Sequence, residues 1–245
     1  MMNNRIRQQW EALGSDDPYW AVLSHPEKQH GGWNKDEFFR TGTDEIADAL
    51  AKASSLEVRL RFDVALDYGC GVGRLSRALS PSFQRVIGID ISDAMLAEAR
   101  SANTSFDNIQ FVRNSGNALP SIGDGEIDFI YCNIVLQHSP RKTQRSLLGE
   151  FSRVLRPGGL LIFQTPAHQN LMTLKGLLHF LLGNHVLNIG RTLKYGKARV
   201  MEMHTFPKSD VLKTLDEAGA SVLKVERFDC AGRSFISYVY FVTKH

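Results

Sequence analysis

The chain has 245 residues, 43% of them hydrophobic, and carries 29 lysines and arginines against 26 aspartates and glutamates. This length and this hydrophobic content predict a globular protein with one large core. A net charge of +3 is too small to indicate nucleic-acid binding by itself. The three cysteines are far apart, so neither a metal site nor a disulfide framework is expected. The polar N-terminus and the short apolar runs predict a cytoplasmic protein without a membrane span.

The first region, residues 1–60, is rich in aromatic side chains and turn residues. A helix is expected at residues 44–53, with Thr43 or Asp44 as its N-cap. Aromatic side chains are costly to leave in water, so this region should pack on the rest of the protein. We expect it to fold over a ligand cleft as a lid. An arm packed on the outer sheet or on a second subunit is the alternative.

Residues 65–73 (ALDYGCGVG) predict an apolar strand that enters a turn containing Gly69, Gly71 and Gly73. A helix and a second apolar strand follow, and the strand ends on Asp90, 21 positions after Gly69. Glycine tolerates positive φ and lets a ligand approach the backbone closely. A carboxylate at the end of the second strand is placed to accept both hydroxyls of a ribose. The pattern therefore predicts a site for a cofactor that contains a nucleoside.

The glycine spacing argues against a dinucleotide. The dinucleotide fingerprint is G-x-G-x-x-G, whereas here the third glycine comes one position early. Asp67, two residues before the first glycine, would repel a pyrophosphate. It suits a cofactor that carries an ammonium and a sulfonium. A nicotinamide dehydrogenase is therefore disfavoured.

Strands and helices are predicted to alternate along the central part of the chain. The strands are expected near 63–68, 85–90, 109–113, 127–133 and 159–165, and the helices near 73–80, 92–101 and 141–155. This alternation predicts βαβ units and a parallel sheet, with ligands beyond the carboxyl ends of the strands. Residues 208–218 predict a further helix, closed by Gly219, and two more strands are expected at 221–228 and 234–243.

The string D-x-G-C-G-x-G at 67–73 resembles motif I of the class I S-adenosylmethionine (SAM)-dependent methyltransferases. Three later segments resemble the family in its order: 117–120 (NALP), the loop over the adenine; 129–138 (FIYCNIVLQH), strand four and its loop; and 154–163 (VLRPGGLLIF), the turn into strand five. The resemblance implies an α/β fold with a doubly wound, mostly parallel, seven-stranded Rossmann-like sheet. Strand seven would be antiparallel, between strands five and six. The chain would comprise an arm, 1–60, and a SAM-binding domain, 61–245.

The resemblance also implies the contacts to SAM. Asp67 would lie near the methionine ammonium, Asp90 would hold the ribose hydroxyls, and Asn133 would offer its carbonyl to the ammonium. Arg40 would pair with the methionine carboxylate, with a solvated surface charge as the alternative. The turn, the adenine cover and the adenine loop would supply Gly69, Gly71, Gly73, Ile91, Met95, Ser115, Gly116, Asn117 and Ala118. Ser115 departs from the family, since relatives often carry an aspartate there that accepts from the adenine amino group.

Candidates for proton transfer and acceptor binding are histidines and one glutamate. An oxygen acceptor must lose a proton, and histidine titrates in the right range. His138, in the loop after strand four, is the first candidate for the general base; a structural histidine bonded to the backbone is the alternative. His168, Glu202 and His204 are predicted acceptor-site residues. An amine or an activated carbon acceptor would need little or no base, and no metal site is predicted.

An insertion, residues 167–205, separates strand five from the helix at 208–218. Its first part, 171–182, is strongly apolar, and its second part carries four basic residues. Three interpretations are open: a cap over the acceptor site, a helix buried against the core or a dimer partner, and peripheral membrane contact. Methyltransferases of polyprenyl quinone precursors also insert an amphipathic segment here, which favours a lipid-like acceptor.

Taken together, the residues and the resemblance predict a SAM-dependent methyltransferase. The acceptor would be a small molecule, apolar or glycosylated, methylated on oxygen or nitrogen by in-line displacement. Nucleic acid is not the expected partner, because an RNA methyltransferase needs a basic groove and only residues 191–208 form a basic run. A noncatalytic SAM sensor or scaffold subunit is the alternative from another class, since binding is not turnover.

Overall fold

A computed structural model describes residues 2–56, 58–114, 116–182, 201–228 and 232–245. The predicted cofactor residue Ser115 and the basic part of the insertion, within 183–200, lie outside the described residues.

Helices and strands alternate through most of the described chain. The helices are α1 (Met2–Asp16), α2 (Pro18–Val22), α3 (Lys35–Ser54), α4 (Arg74–Leu79), α5 (Asp93–Ala102), α6 (Arg141–Val154), α7 (174–182) and α8 (Lys208–Glu217). The strands are β1 (Val64–Tyr68), β2 (Arg85–Asp90), β3 (Ile109–Arg113), β4 (Ile127–Cys132), β5 (Leu155–Gln169), β6 (Ala220–Arg227) and β7 (Phe235–Lys244). Short 3₁₀ helices occur at Pro26–Lys28 and Leu136–His138.

The seven strands form one sheet in the order β3-β2-β1-β4-β5-β7-β6. Strand β1 pairs in parallel with β2 and β4, and β2 pairs in parallel with β3. Strand β7 is antiparallel to both β5 and β6. The predicted fold class, including an antiparallel strand seven between strands five and six, is confirmed. Strand β5 extends beyond the predicted 159–165 at both ends.

By its internal contacts the chain divides into two compact units, Met1–Gly116 with Ile127–Tyr131, and Asn117–Glu126 with Cys132–His245. The core of the first unit includes a run of aromatic rings in which Phe83, Phe129 and Tyr131 stack with centroids 5.5 and 6.1 Å apart. In the second unit, Phe163 of β5 and Tyr240 of β7 stack almost in parallel, with centroids 4.9 Å apart. Burial of these rings and their aliphatic neighbours stabilises each unit.

The N-terminal region is helical over more of its length than the sequence predicts. Helix α3 begins at Lys35, where the Asn34 side chain caps it by accepting from the backbone N–H of Glu37 at 3.0 Å. The predicted caps Thr43 and Asp44 are therefore wrong, because both lie inside the helix. The physical reason is the buried stripe of α3, which starts at Phe38 and carries the helix two turns further towards the N-terminus.

Among the described residues, none of the helices combines the length and the hydropathy that crossing a membrane requires.

Candidate functional site

The turn between β1 and α4 takes a conformation that requires glycine. The φ angles of Gly69, Gly71 and Gly73 are +80°, +52° and +80°, all in the left-handed region. A Cβ on Gly71 would lie 2.6 Å from Cγ2 of Val22, at the end of α2. A Cβ on Gly73 would lie 2.7 Å from both the Asn103 side chain and the Phe111 ring. The backbone angles favour glycine at all three positions, and the packing also excludes a larger residue at Gly71 and Gly73.

Asp90 ties this turn to the next strand. Its Oδ2 accepts from the backbone N–H of Gly71 at 2.9 Å, and its Oδ1 accepts from the backbone N–H of Ser92 at 2.9 Å. Burial raises the pKa of the Asp90 carboxyl, and these backbone hydrogen bonds act in the opposite direction. The predicted ribose-binding carboxylate thus lies directly against the glycine turn, at the carboxyl end of β2.

Asp67 is a buried carboxyl group with one hydroxyl partner. Its side chain in β1 is 1% exposed, and its Oδ2 accepts from the Ser76 hydroxyl at 2.7 Å. Burial raises the pKa of Asp67 to about 7, while Ser76 and the charge of Arg74 oppose that rise. A cation that came to rest beside Asp67 would therefore gain a strong electrostatic partner.

Arg74, the first residue of α4, is a buried cation that the sequence analysis missed. It is 4% exposed, and its Nη2 lies 2.7 Å from Oε2 of Glu45 in α3. Its Nη1 donates to the Thr41 hydroxyl at 3.2 Å, and the Tyr131 hydroxyl donates to Glu45 at 3.1 Å. The Arg74 Nε has no hydrogen-bond partner in the described part of the chain. In the sequence, the only local indication of this buried cation is that an arginine directly follows the third glycine.

The predicted cofactor residue Arg40 also lies on α3, and its side chain is exposed. Of the two predicted adenine covers, Ile91 is partly exposed, whereas Met95 is buried against Gly14 of α1. Their contacts to a cofactor stay predictions.

Hydrogen bonds hold helix α1 against the start of α5, close in sequence to Asp90. The Glu11 carboxylate accepts from the Ser92 hydroxyl at 3.0 Å and from the backbone N–H groups of Asp93 and Ala94 at 2.8 and 3.1 Å. Glu11 therefore caps α5 from a distant part of the chain, with a negative charge at the positive end of that helix. The arm packs on α5 in this way; its role as a lid over a cofactor stays a prediction.

The predicted adenine loop is shared by the two units. Gly116, in the first unit, is exposed, and its carbonyl accepts from the Asn114 side chain at 3.2 Å. In the second unit, the carbonyl of Asn117 accepts from the Ser146 hydroxyl at 3.4 Å, and Ala118 is exposed. Asn133, the predicted ammonium contact, is partly exposed and directly follows β4.

His138, in the second unit, lies within a hydrogen-bonded cluster. Its Nδ1 lies 2.9 Å from the Glu202 carbonyl oxygen, which can only accept, so we assign the proton to Nδ1. Its Nε2 then carries a lone pair and accepts from the Gln137 side-chain amide at 3.3 Å. Burial lowers the pKa of His138 to about 4. The ring is therefore neutral at pH 7 and a weak base.

Two of the three predicted acceptor-site residues join this cluster. The backbone N–H of His204 donates to the Gln137 carbonyl at 2.7 Å, and its Nε2 lies 3.4 Å from Oε2 of Glu202. Burial lowers the pKa of His204, although Glu202 opposes this. His168 does not join the cluster: it is exposed at a β-bulge of β5, with its Nδ1 3.1 Å from the Gln169 carbonyl. Nowhere in the described ranges do three His, Cys, Asp or Glu side chains group as metal ligands.

Comparison with known proteins adds a family match and two curated relatives. Residues 66–163 match the family model described as a methyltransferase domain. The chain is 33% identical over 126 residues to the malonyl-(acyl-carrier protein) O-methyltransferase of Enterobacter lignolyticus, across 50% of this chain and 48% of that protein. It is 28% identical over 224 residues to the demethylmenaquinone methyltransferase of Lactococcus lactis, across 87% of this chain and 79% of that protein.

Solved structures share the fold. Magnesium protoporphyrin IX methyltransferase from Synechocystis PCC 6803, with bound SAH, gives a TM-score of 0.63 at 22% identity and covers 98% of both chains. Identity this low shows the fold alone. The curated relatives that are 30–42% identical to this chain are longer than the matched part. The chain spans only 30–51% of their length.

Proposed function

We propose that the chain is a class I SAM-dependent methyltransferase that transfers a methyl group from SAM to a small-molecule acceptor. Its sheet order and the match of residues 66–163 to a methyltransferase domain support this proposal. The observation that carries the proposal is the glycine turn held to the Asp90 carboxylate, with a 2.9 Å hydrogen bond from the Gly71 N–H. The resemblance of residues 67–73 to motif I of that family implies that the nucleoside of SAM would bind here.

The chemistry of the described residues fits SAM. The Asp67 carboxyl is almost inaccessible to solvent, and its burial opposes ionisation. A bound methionine ammonium would therefore stabilise the charged form of Asp67. Asp90 presents a carboxylate for the two ribose hydroxyls. The left-handed glycines allow the tight turn after β1, whose backbone would face the methionine and ribose parts. A pyrophosphate would instead meet two carboxylates at this turn.

Bound SAM would supply an electrophilic methyl group on a sulfonium, a good donor for in-line displacement. The work left to this chain is to hold the acceptor in line, to exclude water and to receive a proton where one must leave. The low pKa of His138 limits its strength as a base, because a conjugate acid with a pKa of about 4 gives up its proton readily.

We therefore propose an acceptor whose oxygen or nitrogen is already free of its proton at neutral pH, as in a carboxylate. The neutral His138 ring uses its Nδ1–H on the Glu202 carbonyl and its Nε2 lone pair on the Gln137 amide. It would therefore hold Gln137 in place, and the second N–H of that amide would donate to the acceptor. The cluster of His138, Glu202 and His204 would then support acceptor binding through hydrogen bonds. Neither histidine would take up or release a proton during the reaction. One curated relative is named a malonyl-(acyl-carrier protein) O-methyltransferase, and its name is consistent with an acceptor of this class.

Transfer of a tritium-labelled methyl group from SAM to a panel of carboxylic acids, phenols and amines tests the proposal. We expect labelled product from the carboxylic acids, and loss of most SAM binding and turnover in Asp90→Ala. Asp107→Ala removes an exposed carboxylate in the same unit and should leave both unchanged. Undiminished SAM affinity in Asp90→Ala would overturn the ribose assignment. SAM binding without transfer to any acceptor class would contradict the enzyme proposal and favour a noncatalytic SAM-binding protein.

A further inference from the structure

The segment 171–182 presents apolar side chains to solvent to an unusual degree. Within the part of the chain that the structure describes, large apolar side chains that are more than half exposed occur here alone. They are Leu171, Met172, Leu174, Phe180 and Leu181, at 51, 94, 74, 60 and 65% exposed. Five such side chains within twelve residues indicate an interaction site rather than chance exposure. We call these five residues the apolar patch.

The polarity of α7 is the reverse of that in an ordinary surface helix. The inward-facing residues are Thr173, directly before the helix, and Gly176 and His179 within it. Gly176 is buried and the other two are partly buried. Inward-facing positions of a helix are normally the apolar ones. Here the small and polar residues face the protein, and the leucines and the phenylalanine face outward.

Specific contacts hold this orientation. The backbone N–H of Asn170 donates to the Ser234 carbonyl at 2.8 Å, and the Asn170 side chain donates to the Arg233 carbonyl at 2.9 Å. The His179 ring lies 5.2 Å from the Phe235 ring. A Cβ on Gly176 would overlap the Asn170 carbonyl, so a larger residue cannot replace it without moving the helix. The second unit therefore fixes α7 with its apolar side outward.

The charge of the surrounding sequence indicates which kind of partner the apolar patch would bind. Residues 167–201 contain five lysines and arginines and no aspartate or glutamate. The other 24 basic and 26 acidic residues leave the rest of the chain slightly negative. Lys175 is exposed on α7, and the other four basic residues follow α7 in the sequence, between 191 and 199. An apolar helix face in a positively charged stretch of sequence favours an anionic lipid surface, which attracts the charge while its acyl region takes up the apolar side chains.

From these observations we infer that the apolar patch docks the protein on an anionic lipid surface. A second copy of the chain fits less well, because a two-fold contact through α7 would place the exposed Lys175 of both copies in one interface, without an acidic partner from residues 167–182. The contact would lie in the interface plane, because α7 presents apolar side chains outward and keeps small and polar residues on its inward side. This inference does not depend on methyl transfer.

Vesicle co-sedimentation of the full chain tests the inference. The vesicles are phosphatidylcholine alone and phosphatidylcholine mixed with phosphatidylglycerol. The variant Leu174→Ser/Phe180→Ser/Leu181→Ser removes much of the patch. The control Phe62→Ser/Leu223→Ser/Phe228→Ser removes three large apolar side chains that are 40–45% exposed elsewhere. We expect the wild type and the control to bind mixed vesicles, added salt to weaken the binding, and the patch variant to bind at least about tenfold less.

Failure of the wild type to bind the mixed vesicles, or equal binding by the patch variant, would overturn the inference. Sedimentation velocity on the same samples identifies the competing occupant. A wild-type dimer that the patch substitutions convert to monomer, without any vesicle binding, would replace the lipid surface with a second copy. SAM titrations of all three proteins separate this result from the proposed function, because the patch substitutions should leave SAM affinity unchanged.

Discussion

Asp67→Asn should stabilise the ligand-free protein and weaken SAM binding at the same time. In the wild type, the Asp67 carboxyl is 1% exposed and has a pKa of about 7, against an ordinary value of 3.8. That difference corresponds to about 4 kcal/mol, which sets the upper value for the cost of keeping this group charged in the folded protein near pH 8. Asparagine keeps the shape and can still accept from the Ser76 hydroxyl.

The sign of the pH dependence follows from linkage. Because folding raises the Asp67 pKa, the folded state binds a proton more tightly than the unfolded state does. This group's stabilising contribution is fully present below about pH 4 and is lost as the pH rises to about 7. The difference between variant and wild type should therefore be small near pH 4, grow through this window, and level off above pH 7. Other titrating groups contribute equally to both proteins and cancel in the difference.

Urea unfolding of both proteins across this pH range measures the difference directly, and calorimetry at pH 8 measures SAM affinity. The expected pair of results is a gain in unfolding free energy of up to about 4 kcal/mol and a loss of at least about tenfold in affinity. A variant that is less stable than the wild type near pH 8, or a difference that does not vary with pH, would refute the burial argument. Unchanged SAM affinity would refute the ammonium contact.

Three further predictions concern the same unit. Wild-type SAM affinity should rise about tenfold from pH 6 to pH 8, as the ionised fraction of Asp67 rises from about one-tenth to nine-tenths; a flat calorimetric profile would contradict this. Gly73→Ala should cost at least about 2 kcal/mol of unfolding free energy, from backbone strain and overlap with Phe111. The control Gly158→Ala has similar φ and open space, so it should cost only about 1 kcal/mol, and equal losses would exclude the overlap. Glu11→Gln should cost about 1 kcal/mol and speed hydrogen exchange at the first turn of α5, whereas unchanged exchange would exclude the cap.

The sheet and its glycine turn could be predicted because their signals are local. An apolar run, three glycines and an acid 21 positions later lie within one βαβ unit, and each has its own physical reason. The predicted strand at 63–68 differs from β1 by one residue. The start of α3 also had a local signal that was missed, since Asn34 followed by Glu37 at the third helical position is an N-cap pattern.

Other features depend on residues that are distant in sequence. Glu11 caps α5 across more than 80 positions, and Arg74 meets Glu45 29 positions earlier. No periodicity or motif connects such pairs, because tertiary packing creates them. The same holds for His138: its residue type suggested a general base, but burial lowers its pKa, and the hydrogen bond to the Glu202 carbonyl, 64 positions away, only partly opposes this. The apolar run at 171–182 was visible in the sequence, whereas its outward orientation follows from Gly176 and Asn170.

The most direct test of the central claim is calorimetric titration of the full chain with SAM, S-adenosylhomocysteine and NADH. A glycine turn tied to Asp90, with the buried Asp67 beside it, predicts micromolar binding of both sulfur nucleosides and no binding of NADH. Absence of binding by either sulfur nucleoside, or binding of NADH with similar affinity, would contradict the assignment of this turn to SAM.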